Sequence, residues 1–189
     1  MRVAVFGGAS PRPEHPIYQD GLRLGALLAQ TGCAVITGGY GGLMEAVSRG
    51  AAEAGGHVIG ATCTEIESWR GSTKNQWVNE EWRSETLMDR LTRIMDGCDA
   101  AIALPGGPGT LVEISLFWNR MLIESLPSKP LILIGSEWQT VMVSFLQQLG
   151  NYIPAAEHNR VCFVPNIEQA VEQILLFYNP NVGDLRTNN

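Results

Sequence analysis

Residues 105–113 read Pro105, Gly106, Gly107, Pro108, Gly109, Thr110, Leu111, Val112, Glu113, so a nearly bare bend ends in one hydroxyl and one carboxylate. The apolar run AAIAL (100–104) precedes it and a long apolar stretch follows, the pattern of strand, bend and helix. Such a bend leaves the first-turn N–H groups free, adds the positive end of the helix dipole and lets an anion approach the backbone. Gly106, Gly107 and Gly109 permit that approach, Pro108 restrains the loop, and Thr110 offers its hydroxyl to a phosphate oxygen or to a helix cap. Gly7, Gly8 and Ser10 in FGGAS, and Gly38 and Gly39 in TGGYGG, follow apolar runs in the same way. Packing alone explains one glycine bend well. Three on one sheet edge point to a phosphorylated ligand. The first bend is not G-x-G-x-x-G and no Gly-Lys-Ser/Thr follows any of them, which favours a mononucleotide or sugar phosphate over a dinucleotide or a Walker-type site.

Two charged residues have competing readings. Thr110 and Glu113 have the S/T-x-x-E spacing of a capping box, in which the glutamate returns to the cap's backbone N–H. The alternative puts a carboxylate within one helical turn of the phosphate, facing the sugar. On the preceding helix Leu87, Leu91, Ile94, Met95 and Cys98 form the apolar stripe, and at about 100° per residue Arg90 falls on its border while Arg93 points further out. Border arginines commonly snorkel into solvent.

The elements that carry these residues alternate. VAVF (3–6), AVIT (34–37), HVIGAT (57–62), AAIAL (100–104), LILI (131–134) and VCFV (161–164) are apolar at every or nearly every position, as in strands covered on both faces. Residues 17–30, 43–54, 84–97, 111–124, 136–149 and 166–178 have helical spacing or composition, with Gly32, Gly55 and Gly150 at expected stops. The fold class is α/β, a doubly wound, mostly parallel, Rossmann-like sheet flanked by helices. A single nucleotide-binding domain over 1–178 and a frayed tail over 179–189 are expected. The polar connection 63–82 carries three tryptophans and reads equally as a lid, a partner surface or a loop pinned to the body.

A formal net charge of −6 and a pI near 5.0 oppose a nucleic-acid backbone as partner. No apolar run approaches the roughly 20 residues that cross a bilayer, and the N-terminal apolar segment is too short for a signal peptide. A cytoplasmic location follows. Cys33, Cys63, Cys98 and Cys162 lack zinc or redox spacing and read as small buried hydrophobes; neither a metal nor a cofactor is called for.

With these residues in view the chain resembles the LOG family of cytokinin riboside 5'-monophosphate phosphoribohydrolases, often labelled lysine decarboxylase-like. Its P-G-G-x-G-T-x-x-E motif is intact at 105–113, and the DAAIAL strand and GGYGGLMEAVSRGA (38–51) extend the similarity over about residues 1–150. The resemblance implies that Glu113 and Arg90, the latter in LMDRL, form a catalytic pair. It also implies a homodimer, for which the almost wholly apolar helix LVEISLFWNRMLIE supplies a surface, although burial within one chain would suit that helix too. Departures are Met88 and Leu91 for the family's His and Lys flanking the arginine, Pro108 at the variable motif position, and a shortened second glycine segment. A pyridoxal-phosphate decarboxylase needs a Schiff-base lysine, and Lys74 and Lys129 both lie away from the glycine bends.

The resulting expectation is hydrolysis of the N-glycosidic bond of AMP or an N6-substituted AMP to free base and ribose 5-phosphate, with no evident general acid. The alternative is a non-catalytic nucleotide or molybdenum-cofactor carrier or sensor. An oligomer with vestigial bends is a third reading.

Overall fold

In a computed structural model describing residues 1–71 and 73–178, seven parallel strands form one sheet in the order β4-β3-β2-β1-β5-β6-β7. They are β1 (Arg2–Phe6), β2 (Ala34–Thr37), β3 (Val58–Cys63), β4 (Glu80–Ser84), β5 (Ala100–Ala103), β6 (Leu131–Ile134) and β7 (Cys162–Val164). The helices are α1 (Pro16–Gln30), α2 (Leu43–Glu53), α3 (Thr64–Arg70), α4 (Leu87–Gly97), α5 (Pro108–Leu122), α6 (Ser136–Leu149) and α7 (Ile167–Tyr178). The tail expected to fray, 179–189, lies outside the described residues. No described helix is long and apolar enough to cross a membrane.

Side-chain alternation along each strand builds two cores. Ala4 and Phe6 of β1 face a cluster with Leu91, Ile94, Ile114 and Phe117 of α4 and α5, while Val3 and Val5 face Leu24, Leu43, Val47 and Ile174 of α1, α2 and α7. Both faces of the central strands are therefore dry, which is why they read as unbroken apolar runs. Strand order grows outward from β1 through β2 and β3 to β4, then returns to place β5 on the other side of β1. The switch point thus falls between β1 and β5, where doubly wound sheets hold their ligands beyond the carboxyl ends of the strands.

Four sequence expectations need correction. The connection 63–82 is not a plain loop, since it contributes α3 and begins β4, whose EEWRS sequence buries only Trp82 as a polar sheet edge. The helix expected from residue 84 starts at Leu87, because Ser84 still pairs with Cys63 of β3 and Thr86 caps Asp89 N–H at 3.1 Å. The helix expected from 111 starts at Pro108, with Gly107 as N-cap, since proline at the first helical position has φ suited to a helix and no N–H to leave unpaired. Gly32 and Gly55 take the left-handed conformation after α1 and α2, but Gly150 stays right-handed and leads into a 3₁₀ turn. The four cysteines are free, Cys33, Cys63 and Cys98 being buried; burial pushes the Cys98 thiol up to about 12.

Helices α1 and α2 cross closely enough that Gly25 and Gly50 cannot carry side chains. A Cβ on Gly50 would strike the Leu22 carbonyl oxygen, and one on Gly25 the Val47 carbonyl oxygen. Gly50→Ala is expected to force these helices apart and to destabilise the fold by about 1–3 kcal/mol, despite alanine's better helix propensity. Urea denaturation followed by circular dichroism measures this.

Candidate functional site

The peptide of Gly8 ties two glycine bends and α2 together at the switch point. Its N–H donates to the Pro105 carbonyl at 3.0 Å, and its carbonyl accepts from Leu43 N–H at the start of α2 at 2.9 Å. Gly42, the N-cap of α2, has φ +70 and passes so close to Ala9 that a Cβ there would meet Ala9's backbone. A cleft of about 520 Å³ opens beside these bends, bounded also by α3 and α4.

Gly7, Gly8, Ser10, Gly107, Gly109, Thr110, Arg90 and Glu113 all border this cleft. Gly38, Gly39 and Gly106 do not. Gly38 makes room for a buried charge, since a Cβ there would collide with the Arg90 guanidinium and with Met44. Gly39, at φ +77, packs against Gly60 and Thr62, and its carbonyl accepts from the Asn75 backbone at 2.7 Å and side chain at 3.0 Å. Gly106 lies over the Thr110 side chain and against Gly8 N. The first and third bends therefore turn glycines toward the cleft, while Gly38 and Gly39 of the second support it from behind.

Arg90 is buried rather than snorkelled, at 4% exposure. Its Nε donates to the Ala61 carbonyl at 2.6 Å, and its guanidinium lies 5.9 Å from the centre of the Tyr40 ring. Tyr40 is fixed in turn, its hydroxyl donating to Cys63 O at 3.2 Å and accepting from Cys63 N at 2.9 Å. Because α5 begins at Pro108, Thr110 sits inside the first turn and no side chain caps the helix. The capping-box reading of Glu113 is thereby overturned. Its carboxyl instead stands 3.9 Å from Arg90 Nη1, with 13% of the side chain exposed. That gap is too long for a hydrogen bond, so Arg90 acts on the carboxylate through space. Burial pushes the Glu113 carboxyl up to about 7 against the opposing pull of the Arg90 charge. A carboxyl so placed can take or give a proton near neutrality and stabilise a developing cation.

Tyr40, Met44, Ile66 and Arg70 also border the cleft and were not singled out from sequence. The order TGGYGG–LM hinted at Tyr40 and Met44; nothing in the polar run 64–70 marked Ile66 or Arg70. Of the three tryptophans in the connection, Trp82 is buried in β4, Trp77 lies under the Arg49 guanidinium, and Trp69 is 79% exposed. Among the described residues no group of three or more His, Cys, Asp or Glu is placed to hold a metal ion.

Residues 1–161 match the family model of the SLOG cluster4 family, LDcluster4. The chain is 29% identical over 183 residues to the cytokinin riboside 5'-monophosphate phosphoribohydrolase of Rhodococcoides fascians, covering 91% of this chain and 88% of that one. It belongs to the LOG family. This LOG-family chain is also 27% identical over 180 residues to the cytokinin riboside 5'-monophosphate phosphoribohydrolase LOG1 of Arabidopsis thaliana, covering 92% of this chain and 82% of that one. Among solved structures it superposes on the molybdenum cofactor binding protein of Rippkaea orientalis with a TM-score of 0.72 and 25% identity, covering 94% of this chain and 97% of that one.

The raised carboxyl makes stability of the LOG-family chain depend on pH. Glu113 holds its proton in the folded state up to about 7, against an ordinary 4.5 when exposed. Its contribution is full below the unfolded value and is lost as pH rises through the folded one. Glu113→Gln removes this dependence. Between pH 4 and pH 8 the wild type is expected to lose roughly 3 kcal/mol relative to the variant, read from denaturant midpoints across that range.

Proposed function

We propose that this LOG-family protein acts in the cytoplasm on a nucleoside 5'-monophosphate, hydrolysing its N-glycosidic bond to free base and ribose 5-phosphate. The observation that carries this reading is the Glu113 carboxyl, set beside Arg90 about one and a half turns along α5 from its uncapped start. The first-turn N–H groups of Gly109 and Thr110, with the Ser10 hydroxyl, hold the 5'-phosphate. The apolar walls from Ile66, Leu87 and Val112 accept the base. Phosphate binding, remote from the reacting bond, fixes the ribose over Glu113.

As the bond from ribose C1' to the base nitrogen breaks, its electron pair leaves with the base and positive charge builds on the sugar. Ionised Glu113 stabilises that charge and orients a water whose oxygen bonds to C1'. The water's proton passes to the carboxylate, and the departing base takes a proton from solvent. Arg90 keeps the carboxylate ionised and in place. Because the reacting form is the carboxylate, kcat/KM rises with pH through about 7.

A second reading, a non-catalytic nucleotide or molybdenum-cofactor carrier, is favoured by the superposition on the Rippkaea orientalis protein. Turnover separates the two. Wild type is expected to release base from AMP or N6-substituted AMP, measured by chromatography, and Glu113→Gln to lose about 10²–10³-fold in kcat. Wild-type binding without base release would replace the enzyme reading with the carrier one.

The same proposal includes a homodimer formed through α5 and α6. Leu111 on α5 and Val141 and Phe145 on α6 are exposed and share an apolar groove, and Leu111 is followed in the chain by Val112 at the cleft. A second copy would cover this apolar face beside the site. Sedimentation is expected to give a dimer, with Phe145→Glu shifting it to monomer.

A further inference from the structure

Neither glycine bend at the phosphate end contributes a cation to the lining of the cleft, Arg12 falling just beyond its edge. A 5'-phosphate brings close to two negative charges, whereas a helix N-terminus supplies about half a positive one. No Lys, Arg or His occurs in residues 7–11 or 105–110, and the Gly8 N–H is already given to Pro105. Arg90 is buried and committed to the Ala61 carbonyl and to Glu113.

Arg70 also borders the cleft. It ends α3, exposed, with its guanidinium 6.0 Å from the Tyr40 ring centre and 5.4 Å from that of Trp69. The carboxylates of its own helix are turned elsewhere. Glu65 accepts from Leu87 N–H at 2.7 Å, and Glu67 pairs with Arg83 at 2.6 Å. Among the described residues no carboxylate pairs with Arg70. A guanidinium resting near two rings, with no carboxylate taking its donors, offers its planar fork for bidentate recognition of a phosphate.

We infer that Arg70 is the phosphate-selecting residue of this cleft, reaching from α3 to close the 5'-phosphate against the start of α5. The inference rests on the proposed reading only in placing the phosphate at α5; it does not require bond cleavage. Tyr40 and Trp69 then serve as its rest, and α3 forms one wall of a phosphate clamp. Arg70→Gln leaves the fold intact because the side chain is exposed.

The test is calorimetric binding of AMP and of ribose 5-phosphate, which has the phosphate but no base, to full-length wild type, Arg70→Gln and Arg70→Lys. Arg70→Gln is expected to weaken both ligands by the same factor, about 10–100-fold, and Arg70→Lys to recover part of the loss as a point charge without the fork. Wild-type affinity should also fall more steeply with salt than that of Arg70→Gln. Unchanged affinity for ribose 5-phosphate in Arg70→Gln overturns the inference, since Arg70 would then read the base or nothing. Wild type that binds neither ligand overturns it together with the phosphate site. Wild type that binds AMP yet releases no base overturns the hydrolase reading alone.

Discussion

A guanidinium cannot shed its charge, so burying one costs several kcal/mol unless its hydrogen bonds and its charge are both answered. Arg90 meets that demand with parts drawn from three places in the chain. The end of β3 supplies a carbonyl, the bend after β2 supplies both an aromatic face and a missing Cβ, and α5 supplies a carboxylate. Each partner is itself constrained by the need. Gly38 must stay bare, Tyr40 must be held by its hydroxyl, and Glu113 must forgo the cap it could have made. The desolvation that makes the pair expensive also holds the carboxyl near neutrality, where proton chemistry is easy.

The glycine bends divide the labour accordingly. Those after β1 and β5 meet at the switch point and turn backbone toward the cleft, whereas the bend after β2 is given over to Arg90 and Asn75. Similar composition thus serves two unlike purposes: bare backbone lining a cleft in one case and close approach by a protein side chain in the other.

Much of the scaffold was legible because a sheet dry on both faces writes itself as apolar runs, and LILI and AVIT could hardly be anything else. EEWRS could not be read as a strand, since an edge strand needs only Trp82 to anchor it. The start of α5 was misplaced because Thr110–Glu113 satisfies a local capping rule, which Pro108 overrides by starting the helix earlier. Arg90's burial depends on the absence of a side chain at Gly38, about fifty residues away, and periodicity along α4 contains no trace of it. Family resemblance had named Arg90 and Glu113; only the geometry explains why they meet. It also explains why Gly38 and Gly39, chosen with the phosphate bends, lie behind the cleft.

The Gly8–Pro105 hydrogen bond also bears on when the site can come into being. It joins residues 97 positions apart, across the β1–β5 pairing. β1 leads the chain yet ends in the middle of the sheet, so one of its edges stays open while β2, β3 and β4 are laid down on the other. Loop-closure entropy must be overcome before that second edge is filled, which slows the step and makes it late. A nascent chain that has emerged only as far as α4 has the first glycine bend and the arginine but no cleft. The cleft is therefore a property of the completed central pairing, and any small molecule that fits it can stabilise the chain only from that point onward.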